Sequence, residues 1–309
     1  MNYEEILINL AEKNDNIVVM TAENRAAIRN LPSKIKNQFV DVGIAEQTMI
    51  GMAAGLALRG RIPVVHALST FLTMRAFEFI RTDVGIGNLP VKIVGAVAGF
   101  LSEANGPTHQ AIEDISLMRG IPNMQVFAPA DEEDLLIALP GIIESPNPSY
   151  IRYTNAKSSV SHSKEFKIGK AEILSEGEDI TILTYGTLFD EALTAAEILR
   201  SKDRSVGVIN LRTLKPVDNE TIENVCSKSN LIVTLEDHFI TGGLYSILSE
   251  LLVIKRINSR VLPIALNNKW FKPALLKDIL EYEGFTGEAI ADKINKHELE
   301  KHFATEYFY

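Results

Sequence analysis

The chain has 309 residues, 46% of them hydrophobic and 23% charged, enough to bury one large core or two of ordinary domain size. Its 31 Lys and Arg against 40 Asp and Glu leave a formal charge of −9 with no long block of one sign, which argues against a nucleic-acid partner, since that needs basic residues gathered on one face. A single cysteine, Cys226, excludes a disulfide framework or thiolate metal site within the chain and suits a reducing, cytoplasmic setting. No apolar run reaches the roughly 20 residues of a membrane-spanning helix, and the acid-bearing start MNYEEILINLAEKNDN is not expected to act as a secretory signal.

In chain order, strands are predicted at Ile17 to Met20, Pro63 to Val65, Val91 to Val97, Gln125 to Phe127 and Ser149 to Tyr153, with helical patterns between them. That alternation is the βαβ rhythm of a parallel sheet covered on both faces. The Ser/Lys-rich TNAKSSVSHSKEFK, residues 154–167, reads as a solvated connector. The expected organisation is therefore α/β with two domains, at 1–155 and 168–309, joined by a linker over 156–167. In the second domain strands are predicted at Ile180 to Tyr185, Ser205 to Asn210 and Leu231 to Leu235, with a helix over Asp190 to Arg200 and another from near Leu244, after Gly242-Gly243.

Three segments hold residues suited to chemistry. In DVGIAEQTMIGMAAGLALRG, residues 41–60, a helix starting near Ala45 puts Met49 and Ile50 three and four positions after Glu46, and Ala53 continues the stripe. Glu46 then faces the apolar side, where lost hydration raises a carboxyl pKa and lets the acid hold or share a proton near neutral pH. The alternative is a solvated glutamate favoured by the helix dipole. In LSTFLTMRAFEFIR, residues 68–81, Phe71, Met74 and Phe77 recur every three residues, as either a platform for a flat ring or a stripe of core packing. In SEANGPTHQAIEDI, residues 102–115, the Asn105-Gly106-Pro107 turn follows a strand and delivers Thr108, His109 and Gln110 to the sheet end where ligands collect. His109 there either exchanges protons with substrate hydroxyls or simply lies exposed. No Gly-x-x-x-x-Gly-Lys-Ser/Thr loop occurs, and Gly85-Ile86-Gly87 lacks the third glycine of a dinucleotide fingerprint. No serine elbow or closely spaced His/Asp/Glu set points to a hydrolase or a transition-metal site.

GIAEQ at 43–47, STFL at 69–72 and GPTHQ at 106–110 occur in one order, followed by ILTYGT, NLRTLKPVD and EDH…TGG. Together they resemble the C-terminal half of transketolase, as in enzymes split into two chains, and are similar to the matching half of 1-deoxyxylulose-5-phosphate synthase. The resemblance covers nearly the whole chain and implies a pyrimidine-binding domain for thiamine diphosphate over 1 to about 155 and the family's C-terminal domain beyond about 168. It implies that Glu46 hydrogen-bonds the aminopyrimidine ring nitrogen and favours the tautomer that activates the cofactor. It further implies that Phe71 contacts that ring, that Phe77 belongs to the same wall, and that Met74 stands where many transketolases carry another phenylalanine. His109 matches the histidine facing the sugar hydroxyls.

In the family this resembles, the other half carries a Gly-Asp-Gly that holds the metal and diphosphate; none occurs here, so the resemblance implies that the Mg²⁺ and diphosphate ligands come from an N-terminal partner subunit, with an α2β2 heterotetramer as the active form and the chain inactive alone. The implied reaction moves a two-carbon ketol unit from a ketose, as a sugar phosphate or modified sugar, to an aldose. By the same resemblance, Asn105 stands where transketolases commonly carry an aspartate that reads sugar configuration, and Val97, in an ungapped alignment, where a phosphate-contacting histidine often appears. Arg152 remains a candidate for the substrate's anionic group. Alternatives are a 1-deoxyxylulose-5-phosphate synthase-like carboligase, a 2-oxo acid dehydrogenase β-subunit, or a non-catalytic regulatory subunit. Asp237-His238 and Gly242-Gly243 are expected to shape a subunit contact.

Overall fold

The computed structural model describes residues 1–23, 26–267 and 269–306, with the side chains of 102–104 and 300–306 left undescribed. The β-branched runs form two sheets. The first collects β1 (Ile17–Thr21), β2 (Phe39–Asp41), β3 (Ile62–Leu68), β4 (Lys92–Ala96), β5 (Gln125–Phe127) and β6 (Ser149–Arg152), all parallel, in the order β5-β6-β4-β3-β1-β2. The second collects β7 (Glu172–Ser175), β8 (Ile180–Thr184), β9 (Val206–Asn210), β11 (Leu231–Phe239) and β12 (Val261–Leu266), in the order β12-β11-β8-β9-β7 with only β7 antiparallel. The intervening β10 (Thr213–Lys215) belongs to the first sheet. Every residue of β1, β8 and β9 is buried, as in the strands of a parallel sheet covered on both faces. Among the described residues no helix is long and apolar enough to cross a membrane.

The two halves are joined by more than the connector. β10 comes from the second half of the chain and pairs antiparallel with β5. One buried apolar cluster runs from Met49, Ile50 and Val84 through Tyr150 to Leu214, Ile232 and Leu248, crossing from one sheet's layer into the other's. At the junction Gly99 has φ +59 and ψ −127, a region open only to glycine. A Cβ there would fall 1.8 Å from Asp237 Oδ2. Gly99→Ala is therefore expected to destabilise the protein by about 3 kcal/mol or more through combined backbone strain and overpacking, read as a lower urea midpoint.

The connector is mostly exposed, as expected, but one residue within it is not. His162 is buried, its Nδ1 2.7 Å from Glu172 Oε2 and its Nε2 2.7 Å from Asp131 Oδ2. Arg212 adds contacts of 2.7 Å to Asp134 and 3.0 Å to Glu172, and Asn210 Nδ2 donates to both of those carboxylates. Asp134, His162 and Glu172 thus converge within 4.8 Å, a cluster invisible to a search for near neighbours in sequence. Its carboxylates are already met by the Arg212 guanidinium and a charged imidazole, so it works as an ionic clasp between the two halves.

Burial opposes that charge, but hydrogen bonds to Asp131 and Glu172, and the fields of Asp134 and Glu172, raise the His162 pKa from 6.5 to about 10. A raised folded pKa contributes stability that is fully present below about pH 6.5 and is lost as pH climbs through about 10. Lys92 acts in the opposite sense. Burial lowers its pKa to about 7, so between there and about 10.5 the unfolded chain binds more protons and stability rises. The alkaline profile of the natural protein is a difference of the two. His162→Gln is expected to cost about 3 kcal/mol at pH 6, with the gap to the natural protein closing toward pH 10. Urea titrations of both proteins at several pH values measure that gap.

Candidate cofactor site

Three strand ends build the site. After β2, Gly43 reverses the chain and the helix Glu46–Leu58 begins, with Ala45 as its cap residue. Met49, Ile50 and Ala53 are fully buried, and Glu46, in the first turn, is only 3% exposed. The helical spacing that aligned Glu46 with this stripe thus carries it out of bulk water. After β3, Ser69 and Thr70 lead into a π-helical turn at Phe71–Arg75, then Phe77–Phe79 and a second π-helical turn at Ile80–Gly85. After β4, Val97 adopts φ +59, an outlier for a β-branched residue. Gly106, at φ +72, then reverses the chain into the short turn Pro107–His109.

Glu46, Phe71 and His109 come together at this edge, with Arg75 among them. The Phe71 and His109 rings meet edge-to-face, with centroids 5.1 Å apart and planes at 66°. The Arg75 guanidinium lies over the Phe71 ring at 3.9 Å, and its Nη1 donates to Glu46 Oε2 at 3.0 Å. Thr108 Oγ1 lies 2.9 Å from His109 Nδ1. Arg75 had no place in the sequence reading, although a cation four residues after Phe71 was a visible signal. It also changes the setting of Glu46, whose carboxylate meets a cation as well as apolar side chains.

The three-residue platform needs revision for a related reason. Wide π-helical turns displace the spacing. The fully buried stripe is Leu72, Ala76, Ile80 and Val84, at intervals of four, and the group over Phe71 is Arg75. Phe77 packs against the main apolar cluster, and Met74 is half-buried. Asn105 is exposed on the approach to Gly106.

Arg152 is a correction. It lies at the carboxyl end of β6 but is 4% exposed, with Nη2 2.6 Å and Nε 2.8 Å from the two Asp114 oxygens and Nη1 2.5 Å from Asp237 Oδ1. An incoming anion would have to displace two buried carboxylates. Burial opposes ionisation of Asp114, but Arg152 prevails and holds that carboxyl below its usual range.

Asp237 and His238 therefore shape a contact within the chain, where a subunit contact was expected. His238 Nδ1 donates to the Phe239 carbonyl at 2.6 Å and Nε2 accepts from the Ser116 amide at 3.3 Å. That neutral form agrees with a pKa lowered to about 4 by burial. Gly243 closes the same corner, since a Cβ there would meet Glu236 Oε2 at 2.0 Å.

An acid in an apolar wall, an aromatic ring and a histidine thus gather at the carboxyl edge of a parallel sheet beside a second α/β layer, the place where ligands of α/β proteins collect. Residues 1–159 match the transketolase pyrimidine binding domain and residues 169–290 the transketolase C-terminal domain, and the chain belongs to the transketolase family. It is 37% identical over 298 residues to a "putative transketolase C-terminal section" of Methanocaldococcus jannaschii, covering 94% of this chain and 93% of that protein. It is 39% identical over 254 residues to a "6-deoxy-6-sulfo-D-fructose transketolase subunit" of Clostridium sp. (strain MSTE9), covering 81% and 79%. It is also 39% identical to the 1-deoxy-D-xylulose-5-phosphate synthase of Dictyoglomus thermophilum, covering 94% of this chain but 48% of that protein. Among solved structures, a split-gene transketolase described as an inactive β4 tetramer superposes with a TM-score of 0.87 at 33% identity, covering 95% and 96% of the two chains.

Proposed function

We propose that this chain is the C-terminal subunit of a two-chain, cytoplasmic transketolase that moves a two-carbon ketol unit from a ketose to an aldose. An N-terminal subunit would supply the Mg²⁺ and diphosphate ligands, in an α2β2 assembly. The observation that carries the reading is the buried Glu46 carboxylate, joined through the Arg75 guanidinium to the Phe71 ring, which His109 meets edge-to-face. The donor set fits the aminopyrimidine of thiamine diphosphate: a flat group bearing N–H and positive charge already satisfies Phe71 and Glu46 together, in the form of the Arg75 guanidinium.

When bound, the cofactor supplies a carbon nucleophile for cleaving the bond beside the ketose carbonyl. Glu46 holds or shares a proton at the ring nitrogen, and burial keeps water from competing for it. Phe71, with Met74 on the same turn and Phe77 on the next, walls the ring. His109 has Nδ1 engaged by Thr108, and its Nε2 exchanges protons with the sugar hydroxyls, with Asn105 at the rim reading their configuration. A separate subunit accords with Ile44, Met52, Leu58, Phe79 and Ile86, large apolar side chains on and near the site's helices that are left 37% to 75% exposed.

Mixing the chain with its candidate partner, thiamine diphosphate and Mg²⁺, and assaying a broad ketose panel, tests the reading. Ketol transfer with ping-pong kinetics should appear only in the mixture. No transfer with any ketose would favour a regulatory subunit. A modified, sulfonated sugar is the second reading: Asn105 and Val97 depart from the usual sugar-phosphate pattern, Arg152 is engaged elsewhere, and one relative carries a sulfosugar name. Ordinary efficiency with xylulose 5-phosphate would remove it.

A further inference from the structure

We infer that Arg75 is a built-in placeholder for the cofactor ring, seated on Phe71 and Glu46 while the cofactor is away and displaced when it enters. The inference rests on the reading of Phe71 and Glu46 as the ring's seat. A guanidinium is planar, positively charged and edged with N–H donors, so it offers a carboxylate and an aromatic face the same two contacts as an aminopyrimidine protonated at its ring nitrogen. Both contacts are made by the one side chain, at 3.0 Å to Glu46 Oε2 and 3.9 Å to the Phe71 ring centre. The two groups cannot occupy that face at once.

Chemistry explains why a stand-in is useful. Glu46 is 3% exposed, and a buried carboxylate left without a partner is costly. Arg75 supplies the partner until the cofactor does. The side chain is also suited to leaving, being 44% exposed on a π-helical turn closed by the Ala76 amide donating to the Phe71 carbonyl at 3.1 Å. Its backbone stays anchored by Gln47, whose Nε2 donates to the Arg75 carbonyl at 3.2 Å. The guanidinium can therefore swing into solvent or toward a partner chain without unwinding the turn.

The test is calorimetric titration of thiamine diphosphate, with Mg²⁺, into the chain reconstituted with its partner subunit, together with melting curves of the cofactor-free chain. Arg75→Met should tighten cofactor binding on the order of tenfold, because the competitor for Phe71 and Glu46 is gone. It should also lower the melting temperature of the cofactor-free chain, and thereby widen the stabilisation produced by the cofactor. Glu46→Ala should weaken cofactor binding, and Arg75→Met added to it should recover less than in the natural background. If Arg75→Met weakens binding or leaves it within twofold while Glu46→Ala still weakens it, the placeholder is wrong and the seat stands. If Glu46→Ala leaves the affinity unchanged, the seat itself is wrong. Arg75→Gln provides the same comparison should the methionine variant fail to fold.

Discussion

Replacing Glu46 with alanine in the reconstituted pair is expected to lower the turnover number for ketol transfer by at least about 10²- to 10³-fold, the scale of losing a preorganised polar group that acts on the reacting system. The circular dichroism spectrum should be unchanged. The side chain lies in the first turn of the helix Glu46–Leu58, and the packing beneath it is carried by Met49, Ile50 and Ala53, so its removal leaves the core contacts in place. Glu46→Gln separates two contributions. The amide keeps a hydrogen-bonding oxygen of the same reach but cannot hold or release a proton, so a loss close to that of alanine assigns the effect to proton sharing. A much smaller loss assigns it to ring positioning. A subunit that keeps the fold without turnover would show no ketol transfer to lose, and both variants would then match the natural chain.

The burial of Glu46 was legible in the sequence because its signal is local. Three and four residues set the face of a helix, and Met49, Ile50 and Ala53 are all within that reach. The same holds for the strands: Gln125–Phe127 has the predicted bounds, and Ile17–Thr21, Lys92–Ala96, Ser149–Arg152 and Val206–Asn210 lie within two residues of them. Leu231 was expected to start a strand ending at Leu235, and the strand runs on to Phe239. Its polar end is buried, Asp237 and His238 against the other half of the chain and Glu236 against the start of the next helix, and polar residues in sequence conceal such burial. Arg75 was missed because a three-residue period was assumed where the backbone winds in wider turns. The clasp around His162 and the pairing of Thr213–Lys215 with Gln125–Phe127 depend on partners between 10 and about 90 residues away, beyond any periodicity.

The ion group at Arg152 sets the second large expectation, and there stability and substrate binding diverge. Arg152→Met should lower the unfolding free energy by about 3–5 kcal/mol, because it strands Asp114 and Asp237 as buried carboxylates with their common cation removed. Tyr150, whose hydroxyl donates to Asp114 Oδ2 at 2.6 Å, cannot compensate for both. Arg152→Lys keeps the charge but not the fork that reaches both Asp114 oxygens and Asp237 at once, so an intermediate loss is expected. Changing Asp114 and Asp237 to asparagine in the Arg152→Met background should recover part of the loss, since the penalty comes from unpaired charge and not from the missing guanidinium as such. Urea denaturation of the four proteins measures the series. Because Asp114 and Arg152 belong to one half of the chain and Asp237 to the other, Arg152→Met should also broaden the transition as the halves lose their coupling. An Arg152 that gripped the substrate's anionic group would give the opposite outcome in the reconstituted pair: a raised KM in Arg152→Lys with the unfolding midpoint unmoved.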